Sequence, residues 1–190
     1  MSEQKSQRKL KILTTAWEII TEHGAAGLNM KELAQIANVP RASLYRTYAS
    51  KEHIISDITY EWGMSVVRRL EQESPRGKTN GERIKNVYKN ILAEAENNPL
   101  LISAVLENLL STDETTRNMQ IQFEGLLPAL LSSAIDCHAI PDTQQVMDVL
   151  LRLLLANLQM LSSGRSSFNE ALSIMLYTSE KLMGKDFWCS

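Results

Sequence analysis

The stretch from Leu28 to Glu52 reads LNMKELAQIANVPRASLYRTYASKE, and its local chemistry divides it into two short helices and the start of a third. Asn29 is a residue type that caps a helix, Glu32 three positions on can reach back to it, and Leu28 and Leu33 are spaced as a hydrophobic staple. A short helix therefore starts here and runs through Leu33, Ala34, Ile36 and Ala37. Asn38 ends it, because asparagine tolerates the left-handed conformation of a sharp helix stop. Pro40 stands where the next helix begins, a place where its missing N–H costs nothing. That helix, about residues 40–48, is too short to be stable alone, and Leu44 and Tyr48 give it only a narrow apolar edge. The rest of its surface is left for something outside the chain.

Outward from this segment the helical spacing continues. Leu10, Leu13, Trp17 and Ile20 recur at intervals of three and four, which predicts a helix over about 4–23 ended by Gly24. Ser50 caps a helix carrying Ile54, Ile55, Ile58, Trp62 and Val66 to about residue 73, where Ser74-Pro75-Arg76-Gly77 breaks the pattern. Thr79 with Glu82, Ser111 with Glu114 and Ser167 with Glu170 repeat the capping-box spacing. They open helices near 80–96, 113–136 (kinked at Pro128) and 168–183, with others near 100–110 and 142–163. No alternating run of β-branched residues and no Asn-Gly or Asp-Gly hairpin signal is present. The fold class is all-α with about nine helices. It divides into a three-helix head over 1–50 and a larger helical body over 51–190, joined by a connecting helix over about 51–73.

The 190 residues are 44% hydrophobic and 22% charged, the balance of a globular protein with a real core. The formal charge of −2 hides an asymmetry. Between Lys5 and Lys51 eight basic residues face three acidic ones, so an electropositive head sits on an acidic body, which fits a polyanion touched by one end only. Helix, short helix, sharp turn, short helix, with basic and polar residues on the last, is the order of a helix-turn-helix reader of the DNA major groove.

The segment from Gly27 to Glu52, with its Leu-Tyr, aromatic and Ser-Lys-Glu spacing, resembles the DNA-binding domain of the TetR family of bacterial transcriptional regulators over roughly residues 8–58. Asn38 stands where that family usually has Gly, and Asn29 where it often has Thr or Ser; both replacements keep the local conformation. The resemblance implies phosphate contacts at Asn29, Met30, Ser43, Tyr45, Thr47 and Lys51, and base reading by Lys31, Arg41, Ala42 and Arg46. Elementary chemistry agrees. A Tyr hydroxyl can donate to a phosphate, Arg suits the two acceptors on a guanine edge, and Ala a thymine methyl.

The resemblance also implies a body that binds a small effector and a dimer that holds two reading heads. Val146 to Leu161 is apolar almost all round, so one side should meet its own core and another a second subunit, with the last helix beside it. Trp62, Phe123 and Met160 are the candidate pocket residues, and an apolar or aromatic effector fits a body rich in Met, Leu and aromatic side chains. The function expected is that of a sequence-specific DNA-binding regulator, a repressor released from a palindromic operator by a small molecule. The alternative is an architectural or activator protein controlled by a protein partner.

Nothing points to an enzyme: there is no Gly-rich phosphate loop, nucleophile elbow or paired-carboxylate motif, so no catalytic residue and no cofactor is expected. His23, His53 and His138 lie in separate segments and show no metal-ligand spacing, and no metal site is expected. Two cysteines, Cys137 and Cys189, do not make a disulfide framework, and no signal peptide or membrane anchor is read. A cytoplasmic protein is expected.

Overall fold

The computed structural model describes residues 2–73, 77–114, 116–118, 120–122, 131, 134–135 and 142–188. Among these there is no strand. The described residues include eight helices, α1 (Ser2–Gly27), α2 (Met30–Ile36), α3 (Arg41–Thr47), α4 (Lys51–Glu73), α5 (Asn80–Asn97), α6 (Pro99–Leu109), α7 (Thr143–Ser162) and α8 (Phe168–Met183), followed by a 3₁₀ turn, Gly184–Trp188. Residues 114, 116–118 and 120–122 are also helical. Pro128 and most of the helix predicted around it lie outside the described residues, as do Phe123, Cys137, His138 and Cys189.

The predicted stops are built as their chemistry requires. Gly24 has φ 68°, a conformation open to glycine, and it interrupts α1 where the sequence placed its end. Asn38 has φ 51°. Around it the Asn38 N–H donates to Gln35 O at 3.1 Å and the Val39 N–H to Ala34 O at 2.9 Å, the bond pair that closes a helix through a left-handed residue. At the other end of α2, Asn29 Oδ1 accepts from the Lys31 and Glu32 N–H groups at 2.9 and 3.4 Å, with Leu28 and Leu33 buried as the staple. Glu32 stays exposed, so this cap is one-sided. Ser167 and Glu170 form the full reciprocal box, and its bonds hold the Glu170 carboxyl below the usual carboxylate range.

Two details differ from the sequence reading. Pro40 is the N-cap of α3 and not its first helical residue, because its extended ψ is what turns the chain out of the Asn38 stop. The core face of α1 is Ile12, Ala16 and Ile20, all fully buried, while Leu10 is 65% exposed and Leu13 and Trp17 are half-buried. Two apolar series of helical period run along α1. They share Ile20, buried as the spacing predicts, and the packing of α1 against α4 and α6 selects Ile12 and Ala16 over Leu10, Leu13 and Trp17 for the rest of the inner face.

The head core of Leu33, Leu44, Tyr48, Ile54 and Ile58 is continuous with a body core of α5, α6, α7 and α8 side chains. The continuity runs along α4, whose Ile54 and Ile58 belong to the head and whose Trp62, Val66 and Leu70 belong to the body. All five are at most 5% exposed. A Leu44→Ala change in such a core costs about 2–5 kcal/mol, which is why so short a helix as α3 holds its place.

Candidate nucleic-acid interface

On α3, Leu44 and Tyr48 face inward at 0% and 1% exposure, and this fixes which side chains face out. Arg41, Ala42, Tyr45 and Arg46 are exposed, Tyr45 to 53%. On α2, Lys31 and the capping Asn29 are exposed, Met30 is half-buried, and at the start of α4 so is Lys51. The structure therefore brings Lys31, Arg41, Ala42 and Arg46 onto the solvent side of a helix-turn-helix, with Asn29, Tyr45, Thr47 and Lys51 on its margins.

Ser43 differs from expectation. It is only 6% exposed; its Oγ accepts from Arg46 Nη2 at 2.9 Å and its carbonyl accepts from Thr47 Oγ1 at 3.0 Å. The Ser43 hydroxyl thus braces the arginine one turn on. No local sequence signal distinguishes this role from the expected phosphate contact. Ile36, read as part of the apolar run of α2, is 64% exposed.

Behind α3 lies a set of interactions that the sequence did not reveal. The Tyr48 hydroxyl donates to Asp57 Oδ2 at 2.8 Å, Lys9 Nζ of α1 pairs with the same oxygen at 2.8 Å, and the His53 ring packs edge-on to Tyr48. Burial, then the hydrogen bond to Asp57, raises the Tyr48 pKa far above the ordinary phenol value. Tyr48 follows the last residue of the recognition helix, so α1, α3 and α4 are tied together at this point. At the residue before Asp57, the Asn108 amide of α6 meets Ser56 Oγ, with Nδ2 donating at 3.1 Å and a longer bond to Glu52 O at 3.4 Å. Gln120 Nε2 in turn donates to Asn108 O at 2.7 Å. The first two turns of α4 are thus held by the head on one side and by the body on the other.

Of the candidate pocket residues, Trp62 and Met160 differ in burial, and Phe123 lies outside the described residues. Trp62 is 4% exposed within α4, whereas Met160 is 41% exposed on the outer side of α7. The exposed stripe of α7 includes Val149, Arg152 and Met160, so Met160 belongs to the surface of the body and not to its interior. Open clefts occur between α1 and α4, about 410 Å³ beside Trp17 and Ile58, and between α5, α8 and the 3₁₀ turn, about 390 Å³ beside Tyr177 and Trp188.

An exposed basic helix, preceded by a capped partner helix and a tight left-handed turn and braced from behind by α1 and α4, defines a helix-turn-helix DNA-binding protein. Residues 12–58 match the family model described as bacterial regulatory proteins, tetR family, so the head is similar to the DNA-binding segment of that family. The chain is 25% identical over 189 residues to the HTH-type transcriptional repressor KstR of Rhodococcus jostii (strain RHA1), covering 96% of this chain and 86% of that protein. The KstR of Mycobacterium tuberculosis (strain ATCC 25618 / H37Rv) is 22% identical over 134 residues, covering 70% of this chain and 61% of that protein. In fold the chain is similar to a TetR transcriptional regulator from Rhodococcus sp. RHA1, with TM-score 0.78, 21% identity and coverage of 95% and 97% of the two chains. It is also similar to the transcriptional regulator FadR from Bacillus subtilis, solved in complex with stearoyl-CoA, with TM-score 0.69, 16% identity and coverage of 92% and 97%. Among the described residues no helix is long and apolar enough to cross a membrane.

Proposed function

We propose that this regulator is a dimeric cytoplasmic repressor that binds a palindromic operator and leaves it when a small molecule with an apolar chain or ring enters the body. Base reading is given to Lys31, Arg41, Ala42 and Arg46, and backbone positioning to Asn29, Met30, Tyr45, Thr47 and Lys51. The observation that carries the proposal is the outward set of Arg41, Ala42, Tyr45 and Arg46 on a recognition helix whose other face is fully buried. Dimerisation through α7 and α8 is supported by the exposed Val149, Ile174, Tyr177 and Leu182, which are 47%, 48%, 63% and 39% exposed. Apolar side chains gathered on two neighbouring helices mark an association surface. The hydrogen bonds from Gln120 through Asn108 to Ser56 support a route by which the body biases the head.

Repression is favoured over the activator or architectural reading by the KstR relatives, which are transcriptional repressors. An effector with an apolar portion is favoured by the stearoyl-CoA held by a neighbour of the same fold. The test is selection of bound sites from random DNA by the purified protein. Titration of the selected duplex with stearoyl-CoA, free coenzyme A and a panel of apolar and aromatic compounds should follow. Release by compounds with an apolar portion and not by free coenzyme A is the expected result. Release by polyanionic metabolites alone would overturn the effector class, and equal affinity for selected and scrambled duplex would overturn the function.

A further inference from the structure

The first three turns of α1 carry Lys5, Arg8 and Lys11 on the head, and the helix-turn-helix reading gives them no task. Their neighbour Lys9 points elsewhere, into the ion pair with Asp57. Arg8 and Lys11, together with Gln4 and Gln7, line one side of a polar cleft of about 310 Å³, whose other side is Asn38, Val39 and Pro40. Gln4, Gln7 and Lys11 are exposed and Arg8 is half-buried, and among the described residues no carboxylate pairs with either cation. The turn at 38–40 leads directly into Arg41, the first residue of α3. A recognition helix enters the major groove by its N-terminal residues, so a cleft beside that end lies next to the strand that borders the groove.

We propose that this cleft is a second DNA-binding site, in which Arg8 and Lys11, helped by the amides of Gln4 and Gln7, hold the phosphate backbone just outside the half-site read by α3. The proposal rests on the DNA-binding reading above and extends it by naming the backbone flanking each half-site as the ligand. Charge decides the class of occupant. Two cations and two amides offer their donors to a group rich in acceptor oxygens, and the turn residues opposite add no acid. A phosphate held this way supplies affinity and register without base preference.

The test compares wild type with Arg8→Gln/Lys11→Gln, a pair that keeps helix-forming residues while removing both charges. Lys85→Gln/Lys89→Gln on α5 removes the same charge from the body. The probes are the duplex selected from random DNA, the same duplex trimmed to the edges of its half-sites, and a scrambled duplex of equal length, each titrated at several salt concentrations. Expected for the head variant is weaker binding by a similar factor on selected and scrambled duplex. Its slope of log affinity against log salt should become shallower by about 0.9 for each phosphate it no longer neutralises. Trimming should weaken wild type and the α5 variant but leave the head variant unchanged. An unaltered slope in Arg8→Gln/Lys11→Gln, with Lys51→Ala still lowering it, overturns this inference and leaves the DNA-binding reading standing. Equal sensitivity of all three proteins to trimming also overturns it, as does a changed base preference in the flanks, which would mean groove reading. Absence of any preference of wild type for the selected duplex is the separate failure of the functional reading itself.

Discussion

Tyr45 and Arg46 are chain neighbours whose side chains point about 100° apart around α3, and they should fail differently when changed. Arg46→Ala should lose about 1–3 kcal/mol on the operator and relax preference at one base pair per half-site. Tyr45→Phe removes the hydroxyl proposed to donate to phosphate and should weaken operator and scrambled duplex by the same modest factor. Titration of each variant against both duplexes separates the two. The Ser43 bond to Arg46 adds a third case: Ser43→Ala should behave as a mild version of Arg46→Ala, since it unbraces the guanidinium without removing it. Deeper in the molecule, Tyr88 is fully buried and shares a 2.8 Å hydrogen bond with Ser179. Burial pushes its hydroxyl up to about 12, against the smaller lowering effect of the Ser179 bond. The unfolded chain titrates near 10, so the unfolded state loses its proton first. Stability that is complete below pH 10 should fall as the pH rises from about 10 to about 12, by roughly 2–3 kcal/mol. Tyr88→Phe should remove that part of the alkaline loss and cost about 1 kcal/mol at neutral pH; denaturant midpoints at pH 7 and pH 11 check both signs.

At the scale of elements, α2 and its turn were legible because everything that shapes them is local. Asn29, Leu28, Leu33 and Asn38 act within a few residues of themselves, and each does in the fold what its chemistry dictates. The φ of 51° at Asn38 then sets an expectation: Asn38→Gly should keep or raise the melting temperature, and Asn38→Val should lower it, since a β-branched residue resists the left-handed region. Thermal unfolding followed by circular dichroism decides it. The inner face of α1 was legible only at Ile20, because two apolar series of helical spacing meet there and only packing chooses between them. Nor was the Asn108–Ser56 hydrogen bond, which joins residues 52 positions apart and leaves no trace in local spacing. Of the outward set on α3, both the residue types and the Leu44–Tyr48 edge that turns them outward were readable from sequence. The burial of Ser43 beside Leu44 and its bond to Arg46 were not, since a serine next to an apolar edge carries no signal of which side it takes.

The whole molecule sets the remaining expectations. Leu154 and Leu158, apolar centres of α7 in the sequence, are 1% and 2% exposed within one subunit, so a charge there should unfold the protein. Ile174→Glu and Tyr177→Glu lie on the exposed face of α8 and should give folded monomers that bind operator far more weakly; sedimentation of variant and wild type distinguishes monomer from dimer. A wild type that is monomeric at micromolar concentration yet binds operator tightly would sink the dimer. The helix that joins head to body bears on how such regulators are re-engineered. Asp57 secures Tyr48 and Lys9, and Ile54 and Ile58 complete the core around Leu44, so the head is whole only with the first turns of α4, even though the helix continues into the body. A hybrid spliced at residue 50 would graft a reading head stripped of its anchor. Moving the splice to the middle of α4, past Thr59, transplants the recognition helix together with the side chains that seat it. Specificity swapped between two such proteins should survive only with the second joint.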